Sequence, residues 1–451
     1  MRVESPGLLN LGDREWIKER QTLTIDQGEN VRRFHFFGIF CAAVLLLLWA
    51  TTLALPPAPA SAQLPPLIEP YLTAGKLAEG EAAITAYLNR QPTDDKARFS
   101  LGMVQVIRGM ERLMQSLYHH GARDSAVRNF LPILRLPVPE NPTPETLTYD
   151  VARQILQTFL DDLNQAQATL AEVKDPAVKL SLRIGLIRMD VNGDGQADDN
   201  ELFWKAFSRM TLIPVTAQQA QRFLIAFDTG DAVWLRGYCN LLAATIETLL
   251  GYHWQDLLET TGHLAFAKVA TPHTFLNEER SNRPNFYNPF SFADIIAFIH
   301  LLNFDVAEPE RLTRALQHLQ MTLGLSRQSW QLIRAETDND REWLPNPKQK
   351  GVIPNAVVTD EMIDRWLDFL DESEALLSGK KLAPFWRGDR RQGINLNRVF
   401  TQPRRLDVVL WFQGSGATPY LERGNFTNEQ VWGRLLQAFG GNFLPFAFWF
   451  N

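Results

Sequence analysis

The chain has 451 residues, 45% of them hydrophobic and 11% aromatic, so it can bury a large core in two or more packed units. Its net charge is −6, and we find no run of basic residues of the kind that nucleic-acid binding requires. A nucleic-acid binder needs a dense basic surface to displace counterions from phosphates. The composition therefore argues against nucleic acid as a partner.

A targeting segment is predicted near the N-terminus. Arg32 and Arg33 precede an apolar run at residues 34–55, and a stretch of small residues and prolines follows up to Ala62. This order is typical of a secretory signal peptide, with cleavage expected after Ala62. The run is also long enough to remain as an uncleaved membrane anchor, the only membrane contact that we predict. Both interpretations place the chain outside the cytoplasm, either secreted or periplasmic in a bacterium, or anchored and facing outward.

The two cysteines cannot form a disulfide in a processed chain. Cys41 lies inside the apolar run, so only Cys239 remains after cleavage. We therefore expect stability to come from burial of the core, helped by a metal ion.

After the N-terminal extension, apolar residues recur mainly with the period of an amphipathic helix, and we expect a mainly α fold built as an array of helical hairpins. A short β or irregular segment is expected near the C-terminus, where residues 408–412 are β-like and residues 443–450 are strongly aromatic. The predicted divisions are the extension at 1–62, a first helical region at 63–135, a helical core at 146–336 and a C-terminal segment at 337–451.

The first helical region contains Ala83-Ile84, Tyr87-Leu88, Pro92 and Leu101-Gly102. This pattern resembles part of a tetratricopeptide-type repeat over roughly forty residues. The resemblance implies a helix pair that packs on neighbouring helices and offers a surface to a protein partner. An ordinary helical hairpin is the alternative, since we find no second copy of the pattern.

Further helices are predicted from the apolar period. The stretch 231–251 is apolar nearly all round, so we expect a central buried helix there. Thr359 is predicted to cap a helix that ends just before Gly379. The other predicted helices cover residues 144–172, 216–227, 254–269, 292–303, 309–324 and 326–336.

Residues 178–187 fit two patterns. Val178, Leu180 and Leu182 alternate with polar residues as in a strand, whereas Leu180, Ile184 and Ile187 form a helical stripe. We predict a helix, because the stretch leads directly into the most informative motif of the chain.

That motif occupies residues 190–201 and places oxygen ligands at alternating positions. It resembles an EF-hand calcium loop, whose ligands occupy positions 1, 3, 5, 7, 9 and 12 and whose sixth position is glycine. The matching glycine is Gly195. By this resemblance the Ca²⁺ ligands are Asp190, Asn192, Asp194, the carbonyl of Gln196, Asp198 and Glu201.

The loop has no partner loop in the sequence. Ala197 occupies the eighth position, where paired EF-hands use a larger aliphatic residue, and a second acidic stretch beginning at Asp338 has Trp343 where the glycine should be. We therefore expect a structural calcium clip in a binding or scaffold protein, not a sensor that opens a hydrophobic groove.

Two acidic stretches suggest an alternative function. Glu336, Asp338, Asp340 and Glu342 lie between Trp330 and Trp343, and carboxylates beside aromatic rings are typical of sugar-cleaving sites. A second group, Asp228, Asp231 and Arg236, lies near Trp234. Hydrated acidic loops above buried tryptophans are the favoured explanation of both patterns, because acidic loop clusters are common and a catalytic pair cannot be recognised without geometry. The alternative hypothesis is thus a secreted, glycan-directed hydrolase with a structural Ca²⁺ ion.

Overall fold

The computed structural model describes residues 68–123, 136–211, 215–278, 289–352, 357–388, 391–427 and 429–439. The predicted signal segment, the end of the first predicted helical region at residues 124–135 and the aromatic stretch 443–450 lie outside these ranges. Helices dominate the described residues, which confirms a mainly α fold with a few short strands. None of the described helices combines the length and apolarity that crossing a bilayer would require.

The α-helices are numbered in chain order. They are α1 (Glu69–Ala74), α2 (Leu77–Leu88), α3 (Asp95–His119), α4 (Tyr149–Ala171), α5 (Phe203–Thr211), α6 (Ala217–Arg222), α7 (Thr229–Gly251), α8 (Gln255–Thr261), α9 (Phe275–Glu278), α10 (Pro289–His300), α11 (Pro309–Ala335), α12 (Asp360–Leu377), α13 (Leu396–Thr401), α14 (Val408–Gln413) and α15 (Glu429–Phe439). Single 3₁₀ turns cover Ile184–Leu186, Asp199–Glu201 and Gly262–Leu264, and a longer one covers Ser415–Tyr420.

The strands are short and form three small antiparallel sheets. They pair as β1–β2, as β3–β4–β7 and as β5–β6–β8. Their bounds are β1 (Leu180–Leu182), β2 (Ile225–Phe227), β3 (Tyr252–His253), β4 (Asn303–Val306), β5 (Ala383–Pro384), β6 (Gly393–Ile394), β7 (Leu406–Asp407) and β8 (Leu421–Glu422).

The helix predicted at 178–187 is wrong. Leu180 pairs with Phe227 and Leu182 with Ile225, so the stretch begins as strand β1 and continues as a 3₁₀ turn. Both leucines are fully buried, as the strand pattern required. The partner strand lies more than 40 residues downstream, and its backbone hydrogen bonds decide between two patterns that the local sequence satisfies equally.

Other predicted elements also differ from the structure. Residues 216–227 form α6 and then β2, and residues 254–269 form α8, a 3₁₀ turn and irregular chain. The two helices predicted at 309–336 are one continuous helix, α11, because Gly324 is exposed and tolerated on its surface. The β-like stretch 408–412 is the short helix α14, which Asp407 caps by accepting the Leu410 N–H.

Two helix predictions are confirmed. Thr359 accepts the Met362 N–H at the start of α12, and Gly379 follows its end with a φ of 74°. Helix α7 is buried on nearly all sides, and its Cys239 side chain is 1% exposed. Burial raises the pKa of the Cys239 thiol to about 12.

Helices α7 and α11 pack antiparallel along their length. Gly251 at the end of α7 contacts Leu312 near the start of α11, and Gly230 at the start of α7 contacts Ile333 near the end of α11. Buried Glu247 accepts hydrogen bonds from Arg311 at 3.1 Å and from Arg314 at 2.7 Å. These ion pairs fix the register of the two helices.

The main hydrophobic core takes side chains from all three predicted segments that follow the N-terminal extension, from Ile68 to Phe439. A chain that starts at Gln63 therefore keeps every described core residue. A second, small cluster centres on Ile394, Ala417 and Tyr420 and lies within residues 382–427.

Candidate functional site

The loop at residues 190–201 wraps around the carboxylate of Asp190. One of its oxygens accepts the N–H groups of Gly193 and Asp194, and the other accepts the N–H of Gly195 at 2.9 Å. Gly193 and Gly195 have φ values of 73° and 84°, a conformation that side chains with a Cβ disfavour. The two glycines therefore allow the backbone to turn around the first predicted ligand.

Glu201 ties the two ends of the loop together. Its Oε1 accepts the N–H groups of Val191 and Asn192, and its Oε2 accepts the N–H of Asp198 at 2.9 Å. Burial raises the pKa of this carboxyl group, and the three N–H donors act in the opposite direction. Glu201, at the twelfth position, thus joins the beginning and the end of the loop through its two carboxylate oxygens, as a bidentate ligand would do.

The loop is anchored to helices from the first segment. Gln115 of α3 donates to the Asp190 carbonyl oxygen at 2.7 Å, and Glu111 accepts the Asp190 N–H at 2.8 Å. Burial raises the pKa of Glu111 to about 7. A Cβ at Gly75, after α1, would collide with Ala197. The eighth loop position therefore packs on this chain's own helix end.

The loop is entered from a strand and a 3₁₀ turn, and it leads into one helix. Strand β1 and the turn Ile184–Leu186 precede it, and α5 follows it. An isolated bridge joins Arg188 to Leu202 across its base. The resemblance to an EF-hand therefore concerns the loop itself, because the described chain places no helix directly before it.

The carboxylates of the loop are hydrogen-bonded to backbone N–H groups and are not drawn tightly together. Among the described residues, the acidic or histidine groups that bring three ligand atoms within 4.8 Å of one another are Asp228, Glu336 and Glu342. A carboxylate oxygen that accepts a hydrogen bond from an N–H group still has a lone pair with which it can bind an ion. The donor set of the loop fits Ca²⁺ in chemistry, and the ligands would have to move inward on binding.

The second candidate site, here called the acidic cluster, consists of Asp228, Asp231, Glu336 and Glu342. Asp228 caps the N-terminus of α7, and Glu336 directly follows the C-terminus of α11. Because the two helices are antiparallel, these ends meet. The sequence suggested two separate acidic groups, and the fold joins a part of each.

Burial dominates the electrostatics of the acidic cluster. Burial, the Asp228 charge and a hydrogen bond with Asp228 together raise the pKa of Glu336 to about 9. Burial also raises the pKa values of Asp231 and Glu342. Like charges at such short range cannot all ionise. We infer that Glu336 is protonated at neutral pH and donates to Asp228.

Other residues of the two acidic stretches lie elsewhere. Asp338 and Asp340 both form ion pairs with Lys179, with Asp338 the nearer of the two. Burial lowers the pKa of Arg236, and the charge of Glu172 acts in the opposite direction. They therefore do not contribute to the acidic cluster.

The tryptophans near the acidic cluster are buried. Trp330 is 0% exposed, and Trp234 and Trp343 meet edge to face with ring centroids 5.9 Å apart. Trp234 and Trp343 line an apolar cavity of about 50 Å³ together with Asp231. Such a volume is too small for a sugar ring, and the rings offer no open face for stacking on one.

The meeting of Asp228 with Glu336 was missed in the sequence because α11 was expected to be two helices. A single 27-residue helix would have been recognised as a match in length for the 23-residue α7, and antiparallel packing of the two places Asp228 near Glu336. No family model matches the chain, and no curated protein or solved structure shows significant similarity to it.

Proposed function

We propose that the protein binds Ca²⁺ through the loop 190–201 and acts outside the cytoplasm as a binding or scaffold protein. The observation that carries the proposal is the loop conformation, in which two glycines of positive φ turn the backbone around the Asp190 carboxylate. Six oxygen donors at EF-hand positions match the preference of Ca²⁺ for 6–8 oxygens. The location outside the cytoplasm is supported by the targeting pattern that ends at Ala62.

The ion would have a mainly structural role. It would replace hydrogen bonds within the loop by bonds to Asp190, Asn192, Asp194, the Gln196 carbonyl, Asp198 and Glu201. Because α1 and α3 hold the loop, bound Ca²⁺ would also fix the first helical region against α5. Single loops of this kind fill outside the cytoplasm with dissociation constants on the order of 10⁻⁴–10⁻³ M.

A protein is the proposed partner, and the helical hairpin of α2 and α3 is the proposed contact surface. The hairpin is rigid, because Asp94 caps α3 and also accepts a hydrogen bond from Tyr87 of α2 at 2.8 Å. A rigid helical surface loses little conformational entropy on binding.

Calorimetric titration of the chain from Gln63 with Ca²⁺ tests the proposal. Glu201→Gln removes the closing ligand of the loop, and Glu336→Gln provides a matched carboxylate-to-amide control in the acidic cluster. We expect millimolar or tighter binding that Glu201→Gln abolishes and Glu336→Gln preserves.

Thermal melts distinguish a clip from a sensor. A clip raises the melting temperature with little change in helix content or exposed apolar surface, whereas a sensor exposes apolar surface on binding. Absence of binding at millimolar Ca²⁺ would refute the proposal. Loss of binding in Glu336→Gln alone would move the ion to the acidic cluster.

The acidic cluster supports a second candidate function, hydrolysis by paired carboxyl groups. Glu336, whose pKa is raised to about 9, is hydrogen-bonded to Asp228, so a proton donor lies directly beside a second carboxyl group. The cavity of about 50 Å³ beside the cluster does not admit a sugar ring, so a glycan would have to open it. Turnover of a polysaccharide or peptidoglycan panel that Glu336→Gln abolishes with folding intact would establish this function.

A further inference from the structure

The charge of this chain is unevenly distributed. Residues 380–423 contain nine basic and three acidic side chains, a net charge of +6, whereas the whole chain carries −6. This segment includes the small hydrophobic cluster around Tyr420 and the β5–β6–β8 sheet. A locally basic unit in an acidic protein indicates a surface for an anionic partner.

An exposed apolar group projects from the same unit. We call Trp386, Val409, Leu410 and Phe412 the apolar tip. Trp386 is 51% exposed and Phe412 is 76% exposed, the highest fraction among the large hydrophobic residues that the structure describes. Three members come from the six-residue helix α14, and the fourth lies against its end.

The apolar tip has no unsatisfied polar side-chain group. The Trp386 indole N–H donates to the Phe412 carbonyl oxygen at 3.2 Å, which also satisfies a free carbonyl at the end of α14. An indole whose N–H is bonded can enter an apolar environment without leaving a donor unpaired. The hydrogen bond therefore prepares this pair of rings for insertion.

Two exposed arginines belong to the same unit as the apolar tip. The side chain of Arg387 passes over Gly414, whose added Cβ would lie 3.2 Å from the Arg387 Cδ. The backbone of Arg404 is held by the Tyr420 hydroxyl at 2.9 Å. Both arginines are exposed, and neither forms an ion pair with any residue in the described ranges. Their charges are therefore available to an external anion.

We propose that the apolar tip and its arginines bind the surface of an anionic lipid bilayer. Aromatic side chains that enter the headgroup region beside arginines are typical of interfacial membrane binding. Each basic residue near an anionic surface adds to the attraction. The four apolar side chains are too few to supply the roughly 800 Å² per partner that a stable protein interface buries. This surface is separate from the predicted N-terminal segment and from the calcium loop.

Vesicle sedimentation tests the proposal with the chain from Gln63, which retains the described core. We expect binding to vesicles of phosphatidylcholine and phosphatidylglycerol in equal parts, weaker binding in high salt, and no binding to phosphatidylcholine alone. Binding is expected to persist in EDTA, which separates it from the calcium proposal.

Variants locate the contact. The double variant Arg387→Glu/Arg404→Glu should lower the partition coefficient between water and vesicles at least about tenfold. The single variant Phe412→Ser should lower the same coefficient about tenfold. The control for the arginine variant is Arg90→Glu with Lys96→Glu, because both residues are exposed and lack ion pairs within the described chain. The control for Phe412→Ser is Val357→Ser, because the Val357 side chain is 71% exposed. The controls should bind as the parent protein does.

Three outcomes would overturn the proposal. The first is equal binding to both vesicle types. The second is a loss of binding in the control variants as large as that in the test variants. The third is no vesicle binding by a chain that sedimentation velocity shows to be a dimer, if Phe412→Ser dissociates that dimer. The last outcome would assign the apolar tip to a second copy of the chain.

Discussion

The side-chain amide of Gln115 donates a hydrogen bond to the backbone carbonyl of Asp190 at 2.7 Å, across 75 residues of sequence. This bond holds the first residue of the loop 190–201 against the C-terminal half of α3. It links the proposed metal site to the longest helix of the first segment.

Replacing Gln115 by leucine should weaken Ca²⁺ binding. The lost bond is worth about 1 kcal/mol, so we expect an affinity about fivefold lower, measured by calorimetry. The control is Gln154→Leu, because Gln154 is exposed on α4 and its side chain bonds to nearby Thr158, its sole hydrogen-bond partner among the described residues. An unchanged affinity in Gln115→Leu would show that α3 does not position the loop.

Alanine should have opposite effects at two glycines. A Cβ at Gly195 would contact nothing within 4 Å, but the φ of 84° is unfavourable for alanine, so Gly195→Ala should cost roughly 1–2 kcal/mol and weaken Ca²⁺ binding. Gly324 is also uncrowded and lies inside α11, so Gly324→Ala should stabilise the fold by about 0.5–1 kcal/mol. Urea unfolding measures both. Stabilisation by Gly195→Ala would mean that the loop backbone is not held in this turn.

The acidic cluster should make the protein less stable at higher pH. The folded state holds a proton on Glu336 up to about pH 9, whereas the unfolded state releases it near the usual carboxyl value of 4.5. The stabilisation is therefore complete below about pH 4.5 and declines until about pH 9. Thermal melts in EDTA between about pH 6 and pH 9 should show a falling melting temperature.

Glu336→Gln provides the comparison for this experiment. The amide keeps a donor for Asp228 and cannot ionise, so its melting temperature should depend less on pH than that of the parent protein. Equal slopes for the two proteins would contradict a protonated Glu336.

Removing the buried carboxylate between α7 and α11 should be costly. Glu247→Leu leaves Arg311 and Arg314 without a shared partner, and breaking a buried ion pair costs about 3–5 kcal/mol. Glu79→Leu removes a carboxylate that is 62% exposed and should cost less than about 1 kcal/mol. Urea unfolding measures the difference, and equal losses would mean that Glu247 does not hold the helix pair.

Local sequence predicted what local forces determine. The Thr359 cap, the end of α12 before Gly379 and the burial of α7 all depend on neighbouring residues in the chain. The turn chemistry of the loop is equally local, since Asp190 bonds to N–H groups three to five residues away.

Features that depend on distant partners were not predicted. Leu180 and Leu182 form a strand because Ile225–Phe227 pairs with them, and no pattern near residue 180 contains that information. The acidic cluster required the antiparallel packing of α7 on α11 before Asp228 and Glu336 could be placed together. The excess of basic residues at 380–423 can be counted in the sequence. Which apolar side chains of that segment are exposed depends on the fold.

The burial of Cys239 gives the protein an internal reporter of its own opening. With its thiol 1% exposed and its pKa near 12, this residue cannot react with a maleimide or a disulfide reagent while α7 stays packed. In a chain that starts at Gln63 it is the sole thiol. The labelling rate therefore measures how often the central helix is released, and Ca²⁺ should slow that rate if the loop stabilises the whole fold.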